Sequence, residues 1–187
     1  MLARTHNIVA FACLSSAVVY FAPIEVRALT FGLALVANAV GALLPDIDQA
    51  SNKLWDLLPF GDTFAKYFNK AFLTHRGLSH SIIGFILTDK FFRWILPIIL
   101  NGKFIDIFMV YSALMIGYIS HLIADSVTEE GLPLFFPLKY KFGFPPIRSW
   151  RIKTGHWFEN LIITPLLIFY ILWLFVVRWR TFVHLVR

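Results

Sequence analysis

Cysteine and charge are both scarce in this sequence. Cys13 is the one cysteine in 187 residues, which excludes an internal disulfide framework and a cysteine-based zinc site. Charged residues make up 15% of the chain, against about 25% in a soluble domain. With 58% hydrophobic and 17% aromatic residues, that deficit excludes a disordered chain and argues against an ordinary cytosolic globule. Acidic residues are the scarcer sign, 11 Asp and Glu against 17 Lys and Arg, for a net charge of +6. In a soluble protein such an excess points to nucleic acid. Here the cations flank apolar segments, as they do at membrane edges, and no basic repeat or RNA-binding aromatic motif accompanies them, so no nucleic-acid partner is expected. Low-complexity tracts and internal repeats are missing too. What remains is an all-α, polytopic membrane protein forming a single domain over residues 1–187.

Four runs carry the expected membrane helices: 7–24, 28–45, 107–124 and 160–177. Each has 18 residues without Asp, Glu, Lys or Arg, enough for about 27 Å of helix, close to the thickness of a bilayer core. A fifth segment, 81–100, is interrupted by Asp89, Lys90 and Arg93 and then by Pro97. A membrane helix is expected there from about Ser79 to Thr88 or beyond, its charges snorkelling. Arg4 ahead of the first run has the look of a signal peptide, but no small-x-small cleavage site follows, so this segment is expected to stay as a helix. The longer polar stretches are 46–80 and 125–159. In them LPFG at 58–61 and FGFPPIR at 142–148 mark turns, and residues 64–72 have amphipathic spacing suited to the interface.

Counting crossings gathers the chemistry on one side. If all five segments span, His6 at the start of the first, Asp46 at the end of the second, His80 at the start of the third, His121 and Asp125 at the end of the fourth and Glu159 at the start of the fifth share one membrane face. Five of the six histidines fall there, and only His184 lies across. The two polar stretches are therefore expected to build a site at that face.

Several constellations there carry ligand chemistry. His121 and Asp125 lie four residues apart, on one helix face, able to hold an ion between imidazole and carboxylate or simply to orient each other. A histidine at the end of a membrane helix is a functional candidate by default. Asp46 and Asp48 in LPDIDQ could aim two carboxylates at a divalent metal, although alone they also suit a solvated helix stop. THRGLSHS holds His75 and His80, with Arg76 placed to clamp a phosphate and Ser79 as a candidate cap. His6 follows Thr5, a second candidate cap. His156 and Glu159 share a face in TGHWFE, and Glu129 or Glu130 could serve as general base.

The set offers up to nine ligands: His6, Asp46, Asp48, His75, His80, His121, Asp125, His156 and Glu159. Imidazole and carboxylate without cysteine point to a divalent metal, Zn²⁺, Mn²⁺ or Fe²⁺, and so many ligands suggest two or three ions. Sites with two metals typically hydrolyse phosphoesters. The expected activity is that of a metal-dependent hydrolase acting on a membrane lipid or lipid-linked phosphate. Arg76, with Arg148 or Arg151, would hold the phosphate, and Phe135, Phe136, Phe142 and Phe144 the apolar part. The alternative is a non-catalytic membrane protein that binds a regulatory protein partner through a fold braced by structural metal. Cation transport ranks last, because the helix centres are apolar.

In this order the motifs resemble the YdjM/YbcI family of membrane-bound metal-dependent hydrolases. The resemblance runs through RTHNIVAF at 4–11, GALLPDID at 41–48, HRGLSHS at 75–81, GYISHLIADSVTEEGLPLFFP at 117–137 and RIKTGHWFE at 151–159. It implies a multi-helical protein of the bacterial inner membrane with hydrolytic chemistry; one member is described as binding a repressor protein. More distantly the pattern is similar to zinc-dependent phospholipase C and the S1/P1 nucleases. That likeness implies His6, Asp46, His75 or His80, and His121 with Asp125 as ligands. The i, i+3 spacing of His156 and Glu159 departs from the i, i+4 pair of the phospholipases, which leaves Glu159 as the better ligand of the two.

Overall fold

The computed structural model describes residues 1–21, 25–48, 77–138 and 140–185. Among them are six α-helices and no strand: α1 (Ala3–Phe21), α2 (Ala28–Leu43), α3 (Ile82–Ile99), α4 (Ile107–Ser126), α5 (Thr164–Val177) and α6 (Trp179–Leu185). Short 3₁₀ turns occupy Leu44–Asp48 and Arg148–Trp150, and a π-helical turn, Glu159–Ile163, leads into α5. The turn LPFG and the amphipathic segment 64–72 lie outside the described residues.

Local chemistry sets the helix ends. Pro45 stops α2 by removing a backbone donor, and the chain tightens into the 3₁₀ turn that carries Asp46. The cap of α3 is Ser81, whose Oγ accepts from the Gly84 amide at 3.1 Å, so the cap falls two residues after the expected Ser79. Asp106 caps α4 by accepting from the Met109 amide at 3.0 Å, a charge suited to a helix N-terminus. Helix α1 begins at Ala3, which places Thr5 and His6 inside its first turn rather than at a cap. Pro165 sits in the first turn of α5, where its missing amide is harmless.

Among the described residues, three helical stretches combine the length and apolar composition needed to cross a membrane: Ala28–Ile47, Ile107–Ser126 and Glu159–Val177. The expectation of about five spans is therefore met by three on this measure. Helices α1 and α3, of 19 and 18 residues, have the length but carry more polar groups. In α3 those groups are largely neutralised. Arg93 Nε lies 3.1 Å from Asp89, Tyr111 of α4 donates its hydroxyl to the same carboxylate, and the guanidinium rests 4.6 Å from the Tyr111 ring centroid. An ion pair closed in this way lowers the cost of charge in an apolar helix.

The bundle is organised around the crossing of α2 with α4. A Cβ added at Gly41 would lie 2.0 Å from the Leu114 carbonyl oxygen, and one at Gly117 would lie 2.2 Å from the Asn38 carbonyl oxygen. Each glycine thus lets the opposing backbone into contact, the small-residue packing that serves where lipid removes the hydrophobic drive between helices. Asn38 Nδ2 donates to the Ala113 carbonyl at 3.0 Å across the same crossing. Leu14, Val18, Ala34 and Ala113 form one buried cluster beside it, and Ala37, Leu96, Val110, Leu114 and Met115 another. Helix α5 leans on α1, with the Ser16 and Tyr170 hydroxyls 2.7 Å apart, and turns most of its apolar surface outward.

Gly117→Leu should force α2 and α4 apart and cost about 1–3 kcal/mol or more. Gly32, also in α2 but with nothing within 4 Å of an added Cβ, should accept alanine without loss. Thermal unfolding midpoints of the two variants in one detergent check this; equal losses would contradict the crossing.

Candidate metal centre

Four separate segments deliver side chains to one point. His6 comes from the first turns of α1, Asp46 from the 3₁₀ turn after α2, His80 from the residues just ahead of α3, and His121 and Asp125 from the end of α4. His6, His80, His121 and Asp125 are fully buried. Asp125 Oδ1 lies 3.2 Å from His6 Nε2, while its Oδ2 lies 3.7 Å from both His80 Nε2 and His121 Nε2. Asp46 divides in the same way, Oδ1 at 3.5 Å from His80 Nε2 and Oδ2 at 3.8 Å from His121 Nε2. The His6 ring stacks on His121 with centroids 3.7 Å apart. Ligand atoms of His6, Asp46 and His121, and again of His80, His121 and Asp125, fall within 4.8 Å of one another. Helix ends and the turns beside them bring these five together; Glu159, expected at the same face, does not join them.

Their hydrogen bonding leaves nitrogens aimed inward. His121 Nδ1 is 2.7 Å from the Ala42 carbonyl oxygen. A carbonyl can only accept, so the ring proton sits on Nδ1 and Nε2 presents a lone pair to the centre. A ligating histidine is commonly fixed by this kind of second contact. His121 Nε2 faces His80 Nε2 at 3.3 Å. His80 Nδ1 is 3.1 Å from Ser79 Oγ, and the Ser79 carbonyl in turn receives the Tyr118 hydroxyl of α4. Both ring nitrogens of His6 are buried and make no well-aligned hydrogen bond among the described residues. Burial works against a charged His80, but hydrogen bonds to Asp125 and Asp46 outweigh it, and its pKa is raised above the ordinary histidine value. The Met1 amine donates to Asp125 Oδ1 at 2.6 Å.

Three imidazoles and two carboxylates, without a thiolate, fit a divalent ion of intermediate softness. Asp125 is buried and Asp46 half-buried, and the Met1 amine is the one fixed cation beside them among the described residues, so further positive charge suits the pair. His6 Nε2, with Asp125 beside it, and the facing His80 and His121 nitrogens are lone-pair donors for which a cation is a natural common partner.

The remaining sequence candidates lie elsewhere. Glu159 is buried but does not join the cluster: Oε1 accepts from the Leu2 amide at 2.8 Å and Oε2 from the Gly155 amide at 2.7 Å. It ties the start of α1 to the entry of α5, and both its oxygens are used in doing so. His156 is exposed beside Trp157. Glu129 is half-buried just past Asp125, its amide bonded to the Ile152 carbonyl at 3.0 Å. Arg151 does not present itself to a phosphate; it donates to the carbonyls of Gly143, Pro145 and Pro146 at 2.7–3.1 Å. His75, Arg76 and the Asp48 side chain lie outside the described residues. The Ala42 carbonyl was not among the sequence candidates. The small pair Gly41-Ala42 ahead of LLPDID is its one trace, marking where another helix comes close.

Residues 1–185 match the family described as YdjM inner membrane protein. The chain belongs to the YdjM inner membrane protein family. It is an integral protein of the inner membrane, as the apolar spans require. Among YdjM-family relatives, the protein named "Uncharacterized protein YvsG" of Bacillus subtilis (strain 168) is 29% identical over 168 residues, 89% of each chain. The "Inner membrane protein YdjM" of Escherichia coli (strain K12) is 33% identical over 103 residues, 55% of this chain and 48% of that one, and the protein of the same name from Shigella flexneri matches equally. No solved structure matches.

Glu159→Ala should leave the part-buried Leu2 and Gly155 amides without this acceptor and lower stability by about 1 kcal/mol, while metal uptake measured by equilibrium dialysis stays at the wild-type level. Loss of bound metal at unchanged stability would return Glu159 to the ligand set.

Proposed function

We propose that this YdjM-family protein is a metal-dependent hydrolase of phosphoesters that works at the membrane face, on a lipid or lipid-linked phosphate. The observation that carries this reading is the buried cluster itself: five imidazole and carboxylate ligands from four chain segments, with His121 held by Ala42 so that its free nitrogen points inward. Each carboxylate splits its two oxygens between different histidines. Asp125 and Asp46, with His6, His80 and His121, would hold the divalent metal, zinc first, manganese or iron as alternatives. A bound divalent ion supplies Lewis acidity and a more acidic water.

The chain's own residues do the rest. His80, whose protonated form Asp125 and Asp46 favour, ligates only after giving up that proton, so metal uptake and proton release would be coupled there. Glu129, half-buried and four residues past Asp125 in the chain, takes the role of proton acceptor. Arg76 takes the phosphate, a role that rests on its place in HRGLSHS. The position of the ligands at helix ends, near headgroup depth, is what favours a lipid phosphate over a soluble one.

The reading is tested by turnover of phospholipid and of bis(4-nitrophenyl) phosphate by protein reconstituted in nanodiscs with Zn²⁺ or Mn²⁺. Asp125→Asn and His121→Ala should each lower phosphate-ester turnover by about 100-fold or more without loss of the folded, monodisperse protein. Metal-loaded wild-type protein inactive on every phosphoester, or variants as active as wild type, would overturn it and favour the protein-binding alternative.

A further inference from the structure

Among the described residues outside the helices, the segment 140–158 carries a run of exposed apolar side chains. Tyr140, Phe142, Phe144, Ile147, Trp150 and Trp157 all stand out from the protein, Trp150 at 72% exposure and Tyr140 and Phe144 near two-thirds. Side chains of this kind normally turn inward in a loop. A floppy segment would let them collapse, but this one is built. Leu132 and Phe142 exchange both backbone hydrogen bonds at 2.7 Å, and Ile152 N donates to Val127 O at 3.0 Å while Glu129 N donates to Ile152 O. Arg151 gathers the carbonyls of Gly143, Pro145 and Pro146. A Cβ at Gly143 would lie 2.2 Å from that guanidinium, so glycine is what lets it in. The aromatic display is therefore fixed.

Its position is fixed as well. Phe144 N donates to Ser126 O at 2.8 Å, at the end of α4 that carries Asp125, and the Ile82 amide at the start of α3 donates to Leu134 O at 3.0 Å. The segment thus lies at the end of the bundle that holds the histidine cluster. Its charge is all of one sign: Lys141, Arg148, Arg151 and Lys153 fall between 140 and 158, with no Asp or Glu. Arg151 is spent on the scaffold, which leaves Lys141, Arg148 and Lys153 exposed around the aromatics.

We infer that residues 140–158 form a rigid interfacial wedge that inserts Phe144, Trp150 and their neighbours beside the cluster and binds anionic phospholipid headgroups through Lys141, Arg148 and Lys153. Tryptophan and tyrosine favour headgroup depth. Cations near an anionic leaflet gain from its surface potential. A protein partner would also cover an apolar face, but it would not account for aromatics and cations together on a loop anchored at headgroup depth. The inference needs the membrane only and stands whether or not the cluster hydrolyses anything.

The test places a bimane probe at position 150 (Trp150→Cys in a Cys13→Ala background) in nanodiscs of phosphatidylcholine with or without phosphatidylglycerol. Acyl-chain-brominated lipid should quench the probe and aqueous iodide should not. Including phosphatidylglycerol should deepen lipid quenching by about twofold, a gain that the Lys141→Glu/Arg148→Glu/Lys153→Glu variant loses while keeping its size-exclusion profile. A probe quenched by iodide and not by lipid would overturn the wedge and leave a protein-docking face. Lipid quenching indifferent to phosphatidylglycerol, or a charge-reversed chain that behaves like the parent, would overturn its anionic preference. A charge-reversed chain that fails to fold is replaced by the three single reversals, read in the same way.

Discussion

Everything at the proposed site depends on two backbones touching. Gly41 and Gly117 carry no Cβ, and without that absence α2 and α4 could not close to the distance at which the Ala42 carbonyl reaches His121 Nδ1. That one hydrogen bond sets the tautomer of His121 and aims its other nitrogen at Asp46, His80 and Asp125. The same crossing carries Asp46 past the end of α2 and into reach of the histidines. In a membrane this is economical chemistry. Small residues replace the hydrophobic drive that water would have supplied, and the closeness they allow positions polar groups that would otherwise be costly to bury.

The helical plan was legible in the sequence because length and charge are read together. The uncharged runs at 28–45, 107–124 and 160–177 reappear as Ala28–Ile47, Ile107–Ser126 and Glu159–Val177, since Arg27, Asp106 and Arg178 or their neighbours mark where the apolar stretch stops. His6, Asp46, His80, His121 and Asp125 were legible as candidates because each stands at or near the end of an apolar run. Partnership was not. Nothing in TGHWFE distinguishes a carboxylate aimed at a metal from one that satisfies two amides, and Glu159 turned out to hold Leu2 and Gly155. Arg151 likewise reads as a phosphate ligand in sequence, whereas three carbonyls brought together by the Gly-Phe-Pro-Pro turn claim it. The cap of α3 fell on Ser81 rather than Ser79, because two serines two residues apart are equivalent until the chain path decides.

The division of labour along the chain follows from this. The α2–α4 crossing holds the ligands, Glu159 pins the start of α1 against the entry to α5, and Arg151 stiffens the loop that extends from the ligand-bearing end of α4. Each of these fixed points is polar and each is satisfied by backbone groups. The arrangement keeps imidazole and carboxylate atoms directed to a common centre while the outward surfaces of α4 and α5 stay apolar for lipid.

Metal content tests the account most directly. Protein purified in detergent and exposed to Zn²⁺, Mn²⁺ or Fe²⁺, then freed of excess, is measured by elemental mass spectrometry beside the His121→Ala/Asp125→Ala variant. The account predicts about two ions per chain in the wild type, most of them lost in the folded variant. No bound metal in either protein, or equal metal in both, would contradict it and reduce the cluster to polar packing at the ends of helices.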